Sequence, residues 1–409
     1  MLRANSTTWL KVLFFLCLFS PYVKVAGRSV YLFDFLLIAL VGFASMGYLA
    51  IRRRDLAYVF FAFSFSVFVI FVQSVLWGEV PGTYLVRLFF YFSIFFIIRE
   101  LFRTADRLAL IRFASNCVAF VALLGIFQVI DHYLFSGALG VTRLTSVLYP
   151  YPGELAMRSQ ELSNGLQLKV GSFFNATSSF DGHSILLGDF LAISLGFLLY
   201  FRKYFQLSIT ILCLLLTMSR GAWAMGLISI FVFSFVGFTK SNVKSSIWLF
   251  LIGALLLVGL LSIEVVREYM FFRVNNTLFT FGLVDEQVGR ADDPRTSIVW
   301  PRLINSLSDL GWVAYLFGAP LNFSADSGYL TILRDSGISG FVLIGSFPMY
   351  ILASSIDRKA VIRVLLVVAA GMIVHPVFQG IRTVLFCILI FVVFSLPTVR
   401  QSKAGVNTE

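Results

Sequence analysis

Long apolar runs, broken by short basic or polar punctuation, make up most of this chain. A helix that crosses a bilayer needs about 20 consecutive apolar residues, within a range of roughly 17–25. On that measure about twelve stretches are predicted to span: 9–23, 30–50, 56–77, 82–98, 108–131, 182–201, 206–218, 222–239, 246–265, 328–354, 361–379 and 382–398. The first and the seventh are short. Two long polar-containing stretches interrupt the series, 135–181 and 266–327, and the other connections are brief. The pattern predicts an all-α integral membrane protein in which residues 1–409 form a single polytopic membrane domain. The two long loops are expected to contain short helices of their own.

Composition supports the same class. Hydrophobic residues make up 59% and charged residues 13%, against about 25% charged in soluble domains, and mean hydropathy is +0.90. The net charge of +11 raises the question of nucleic acid, but the basic residues punctuate apolar runs rather than gathering with aromatics on one face. Membrane topology explains them better. With the N-terminus cytoplasmic, the inner segments carry Arg3, Lys11, Arg52, Arg53, Arg54, Arg99, Arg103, Arg107, Arg112, Arg202, Lys203, Lys240, Lys244, Arg358, Lys359, Arg363, Arg400 and Lys403, as the positive-inside rule requires. Both termini are then inside and both long loops outside. The basic start, the run Leu13–Phe19 and the small residues near 27 also fit a cleaved signal peptide, which would leave the downstream topology unchanged.

Cys17, Cys117, Cys213 and Cys387 all fall in apolar runs and read as small core residues. His132, His183 and His375 are scattered without metal-ligand spacing, and no phosphate-cradling glycine loop occurs. The chemistry must therefore come from charges placed where a membrane penalises them. Arg220 stands in LLLTMSRGAWAM, Arg382 opens the last apolar run, and Asp34 and Asp189 lie inside others. Arg220 and Arg382 either snorkel to the interface, pair with an acid, or converge on a ligand.

In the second polar stretch, Leu303, Leu307 and Leu310 recur from Val299 at helical spacing, which predicts a surface-lying helix. Arg295 and Arg302 would share a face two turns apart on one continuous helix, although Pro301 suits a helix start better than a helix interior. Ala325–Ser336 predicts a short helix ending in Arg334 and Asp335, with Gly337 and Gly340 allowing a bend into the next apolar run. Guanidinium groups hold phosphate bidentately and keep their charge. They suit a diphosphate and can neutralise it as it leaves. No DxD-type acidic cluster is present, in keeping with a donor other than a metal-bound sugar nucleotide.

Three stretches resemble the superfamily of bacterial O-antigen polymerases and O-antigen ligases, GT-C-like membrane enzymes that include exopolysaccharide polymerases. They are GSFFNATSSFDGHSILLGDFLAIS (171–194), LLLTMSRGAWAM (214–225), and the segment 295–344 containing RTSIVWPRLINSL, FGAPL and ADSGYLTILRDSGISGFVLI. The resemblance implies a metal-independent glycosyltransferase, without cofactor, in the bacterial inner membrane. Its substrate would be an undecaprenyl-diphosphate-linked oligosaccharide at the periplasmic face. Partners would be membrane lipid, a chain-length regulator and a flippase, with no nucleic acid.

On that resemblance Arg220, Arg295, Arg302 and Arg334 are expected to bind the substrate diphosphate. A ligase is expected to carry His before the Tyr-Leu pair, where this chain has Asp326. That difference favours a polymerase of lipopolysaccharide O-antigen or exopolysaccharide, with Asp326 or His183 as the catalytic base. A ligase, or a transporter or flippase of the lipid-linked oligosaccharide, is the competing expectation.

Overall fold

The computed structural model of the chain describes residues 6–25, 28–43, 52–78, 93–149, 176–180, 184–235, 299–321, 327–374 and 381–397. The first half begins with α1 (Ser6–Phe19), strands β1 (Tyr22–Val25) and β2 (Arg28–Tyr31), α2 (Leu32–Phe43) and α3 (Arg53–Trp77). A helical stretch over 93–101 follows, then α4 (Arg107–Leu134), α5 (Val141–Leu148), α6 (Ser184–Tyr200), α7 (Tyr204–Leu216) and α8 (Arg220–Phe235). The second half contains α9 (Trp300–Asp309), α10 (Trp312–Phe317), α11 (Gly328–Ser354), α12 (Arg358–Val374) and α13 (Ile381–Ser395).

The protein is an α-helical membrane protein, but the described residues do not contain the expected twelve spans. Three helices, α3, α4 and α11, are long and apolar enough to cross by length and composition, at 25, 28 and 27 residues. Five further apolar helices are shorter, among them α1, α6 and α7. The expected span 246–265 lies outside the described residues. The short helices expected in the two polar stretches are there, as α5 in the first and α9 and α10 in the second.

A second difference is the ribbon between α1 and α2. The apolar run expected over 9–23 ends its helix at Phe19, and β1 pairs antiparallel with β2 from Tyr22 opposite Tyr31 to Val25 opposite Arg28. The sequences YVKV and RSVY are rich in valine and tyrosine, which favour strands, and they compete with helix continuation here.

The centre of the bundle is α6. Every residue from Leu187 to Leu198 is buried, as expected for a helix that is apolar all round. Two glycines on it admit α8 at close range. A Cβ at Gly188 would stand 2.5 Å from the Ala222 Cβ, and one at Gly196 would collide with the Phe233 ring. Small residues at such spacing let membrane helices approach. α1 belongs to the same core, with Leu10, Phe14 and Leu18 fully enclosed. All four cysteines are buried and free.

One end of the bundle holds ion pairs that join separate elements. Arg99, buried against Phe95 and Phe96, pairs with Asp55 of α3, whose other oxygen takes the Tyr350 hydroxyl of α11. Nearby, Arg107 of α4 meets Asp357 at 3.1 Å, and the Tyr200 hydroxyl of α6 donates to the same carboxylate at 2.6 Å. These pairs join the N-terminal ends of α3, α4 and α12 to the C-terminal ends of α6 and α11. The described parts of the two polar stretches lie toward the opposite end, against the C-terminal parts of α3 and α4 and the first part of α11.

Candidate functional site

Three residues decide how α7 passes into α8. α7 ends at Leu216, and Thr217, Met218 and Ser219 reverse the chain before Arg220 opens α8. Met218 adopts a left-handed φ of 53°, uncommon for a residue with a Cβ. The Thr217 hydroxyl donates back to the Leu214 carbonyl at 2.7 Å, and the Trp223 indole donates to the same carbonyl at 3.0 Å. This turn is seated against α6 at Gly188. The N-terminus of α8, with its partial positive charge and with Ser219 accepting the N–H groups of Ala222 and Trp223, therefore lies beside the start of α6.

The end of the first polar stretch packs into the same place. Residues Ala176–Phe180 are buried throughout. The Ala176 N–H donates to the Leu216 carbonyl at 3.0 Å, which joins this segment to the last residue of α7. Thr177 and Ser178 donate their N–H groups to the Gln128 Oε1 of α4, at 3.0 and 2.6 Å. The Ser178 hydroxyl reaches the Val121 carbonyl at 2.7 Å. One turn beyond Gln128, the buried Asp131 accepts the N–H groups of Leu139 and Val141, both at 2.9 Å. Its carboxylate thereby caps α5, where negative charge complements the helix N-terminus.

The second polar stretch builds a separate cap on α3 and α11. α9 begins at Trp300 with Pro301 in its first turn, so Pro301 starts the helix. Leu303 and Leu307 are buried and form a small core with Ala314 and Ala319. Leu310, expected in the same stripe, is instead the exposed residue that ends α9. The predicted helix over Ala325–Ser336 is the first part of α11, which runs from Gly328 and kinks at Gly337. Gly337 bends the chain as expected, at φ 60° and ψ −155°, a combination that only glycine adopts readily. Gly340 does not bend it; it lies within the helix, packed on Ser336 and Ile332.

The kink lets α10 close on α11. The Ala319 N–H donates to the Arg334 carbonyl at 2.7 Å, and the Ser339 hydroxyl donates to the Leu316 carbonyl at 2.7 Å. Gln73 of α3 completes the joint, donating to the carbonyls of Phe317 and Asp335.

The structure distributes the expected site residues unevenly. Arg302 is exposed on α9, and Arg334 stands one turn before the α11 kink with its Nε 2.6 Å from the Asp335 carboxylate. Arg220 is the first residue of α8. Asp326, His183 and Arg295 lie outside the described residues, so a face shared by Arg295 and Arg302 does too. The first two motif stretches are in direct contact. The third reaches them through α12: the Ser327 hydroxyl donates to the Met372 carbonyl at 3.3 Å, and the Tyr329 hydroxyl to the Ala369 carbonyl at 2.8 Å.

Arg382 corrects the expectation of snorkelling. It is 2% exposed and donates to the carbonyls of Leu18 and Ser20, at 2.8 and 2.7 Å, beneath the Tyr149 ring. It closes the C-terminus of α1, where orphan carbonyls and a partial negative charge favour a cation. Asp189 sits beside Gly188 in the buried run of α6.

Gln73 and Gln128 are not among the residues expected from the sequence. The signal was present, since each is a polar residue inside an apolar run. Only the fold shows which backbone groups they serve. Among the described residues no group of three or more His, Cys, Asp or Glu side chains is placed to share a metal ion. An apolar cavity between α11, α12 and α13, lined by Phe347, Pro348, Leu365, Val368 and Cys387 among others, involves none of the expected site residues. No family model, no curated protein and no solved structure matches this chain.

Proposed function

We propose that the chain is a polysaccharide polymerase that extends an undecaprenyl-diphosphate-linked oligosaccharide at the periplasmic face of a bacterial inner membrane. About twelve spans, both termini inside and the two long loops outside complete this reading. The observation that carries it is the placement of the three motif stretches. The segment Ala176–Phe180, the turn before Arg220 and the α9–α11 cap emerge at one end of the bundle, away from the ion pairs of the other.

In the reaction, a hydroxyl of the acceptor sugar attacks the anomeric carbon of the donor. The new C–O bond forms as the bond from that carbon to the phosphate oxygen breaks. The electron pair leaves on undecaprenyl diphosphate, whose charge Arg220, Arg295, Arg302 and Arg334 hold. The hydroxyl proton passes to Asp326, or to His183 in its place. The leaving phosphate oxygen gains negative charge as the bond breaks, so cationic side chains that bind the diphosphate more strongly as it separates favour the transition state.

Deleting the gene and resolving the surface glycan on a gel tests the reading. Single-repeat caps on the lipid core are expected. Complementation with Arg220→Ala or Arg295→Ala is expected to restore the inserted protein but no long chains; full-length polymer from either would remove the diphosphate clamp. A bare core with accumulated lipid-linked polymer would indicate a ligase, and a bare core with lipid-linked single units a flippase.

A further inference from the structure

Gln128 is 1% exposed in the last two turns of an apolar helix, and its amide is committed at both ends. Oε1 accepts from the backbone N–H groups of Thr177 and Ser178, and Nε2 donates to the Thr145 hydroxyl of α5 at 2.6 Å. Thr145 lies early in the first polar stretch and Thr177 near its end. One side chain therefore closes the base of a stretch that runs from α5 to the start of α6.

The residues it holds are strained. Ser178 has φ 51°, and across the Ala176–Leu216 hydrogen bond Met218 has φ 53°. Non-glycine residues keep such conformations only where their surroundings over-determine them. For Ser178 those surroundings are the Gln128 carbonyl on its N–H and the Val121 carbonyl on its hydroxyl. For Met218 they include the Leu216 carbonyl bond two residues before it, which depends on Ala176 staying in place.

We infer that Gln128 is a positioning residue for the candidate site, clasping both ends of the first polar stretch and setting the turn before Arg220 in register with it. This role rests on the polymerase reading. The chemistry selects glutamine closely. Asparagine is one methylene too short to reach both partners, leucine fills the space but accepts nothing, and glutamate keeps the acceptor oxygen for the two N–H groups while the Thr145 hydroxyl turns to donate to it.

The test places Ala176→Cys and Leu216→Cys in the full chain in native membranes and joins them with a short thiol-specific cross-linker, the bridged pair being identified by peptide mapping. Gln128, Gln128→Leu, Gln128→Asn and Gln128→Glu backgrounds are compared at equal membrane abundance, with polymer length measured in parallel on the same Gln128 variants without the cysteine pair. Leaving two buried N–H groups without an acceptor is expected to lower the cross-link by about tenfold or more in Gln128→Leu. Long chains are expected to be lost with it, and both readouts should return in Gln128→Glu.

An undiminished cross-link in Gln128→Leu overturns the clasp whatever the polymer shows. A lowered cross-link with unchanged polymer overturns the positioning role. Should Gln128→Leu fail to accumulate, Gln128→Asn decides in its stead, because a clasp requires it to lose both readouts in part and Gln128→Glu to retain them. If the parent chain makes no polymer, the polymerase reading fails, and the cross-link alone decides whether the clasp exists.

Discussion

Replacing Arg382 by methionine should detach the end of α1 from the rest of the bundle. Two charge-assisted hydrogen bonds, to Leu18 at 2.8 Å and to Ser20 at 2.7 Å, disappear together with the stacking under Tyr149, whose ring centre is 5.1 Å away. Hydrogen bonds to a charged group contribute about 1.5–3 kcal/mol each, and a desolvated cation–π contact about 0.5–2 kcal/mol. Methionine recovers part of the lost packing because it fills irregular space, so the net loss should be roughly 3–6 kcal/mol. Arg382→Lys keeps the charge but not the planar fork that spans two carbonyls, and should fall between.

The assay is thermal unfolding of the detergent-purified chain, together with maleimide labelling of Cys17 read by peptide mapping. Cys17 is 2% exposed, and its thiol points at the Arg382 carbonyl. Loosening α1 should lower the midpoint by roughly 5–10 °C and open Cys17 to label while Cys213, at the buried α7 interface, stays protected. A midpoint within about 1 °C of the parent, with Cys17 still unlabelled, would refute the idea that Arg382 fastens α1.

Two further outcomes follow from the same contacts. Gly337→Ala should place a methyl group against the Tyr315 and Leu316 backbone at a φ that disfavours it, costing about 1–3 kcal/mol and exposing the α10 segment to limited proteolysis; an unchanged digestion pattern would show that the kink tolerates a side chain. Asp55→Asn or Arg99→Met alone should destabilise by about 3–5 kcal/mol, because each leaves a buried charge without its main partner, whereas the double variant should recover much of that loss. Additive effects in the corresponding thermal-unfolding cycle would mean that the pair is not coupled.

The site was legible in pieces. Apolar spacing located α3, α4 and α11 to within a few residues of their ends, since a helix that must satisfy every backbone group in lipid has few alternatives. Pro301 and Gly337 announced a helix start and a bend, because proline and glycine fix local backbone choices without reference to neighbours. Leu310 failed by the same logic: its spacing continued the stripe, but Gly311 and the turn into α10 ended the helix first.

What the sequence determined by itself was class and local form: a helical membrane protein, its main breaks, and the stretches in which polar groups gather. Those properties depend on residues near one another in the chain. Partnership was decided only by the tertiary structure. Arg382 reads as a lone intramembrane cation until α1 delivers two carbonyls from 362 and 364 residues away. Gln128 reads as an unremarked polar residue until Thr177 and Ser178 arrive with their N–H groups. A buried polar group is stable only with a partner, and the partner's identity is a property of the packed helices.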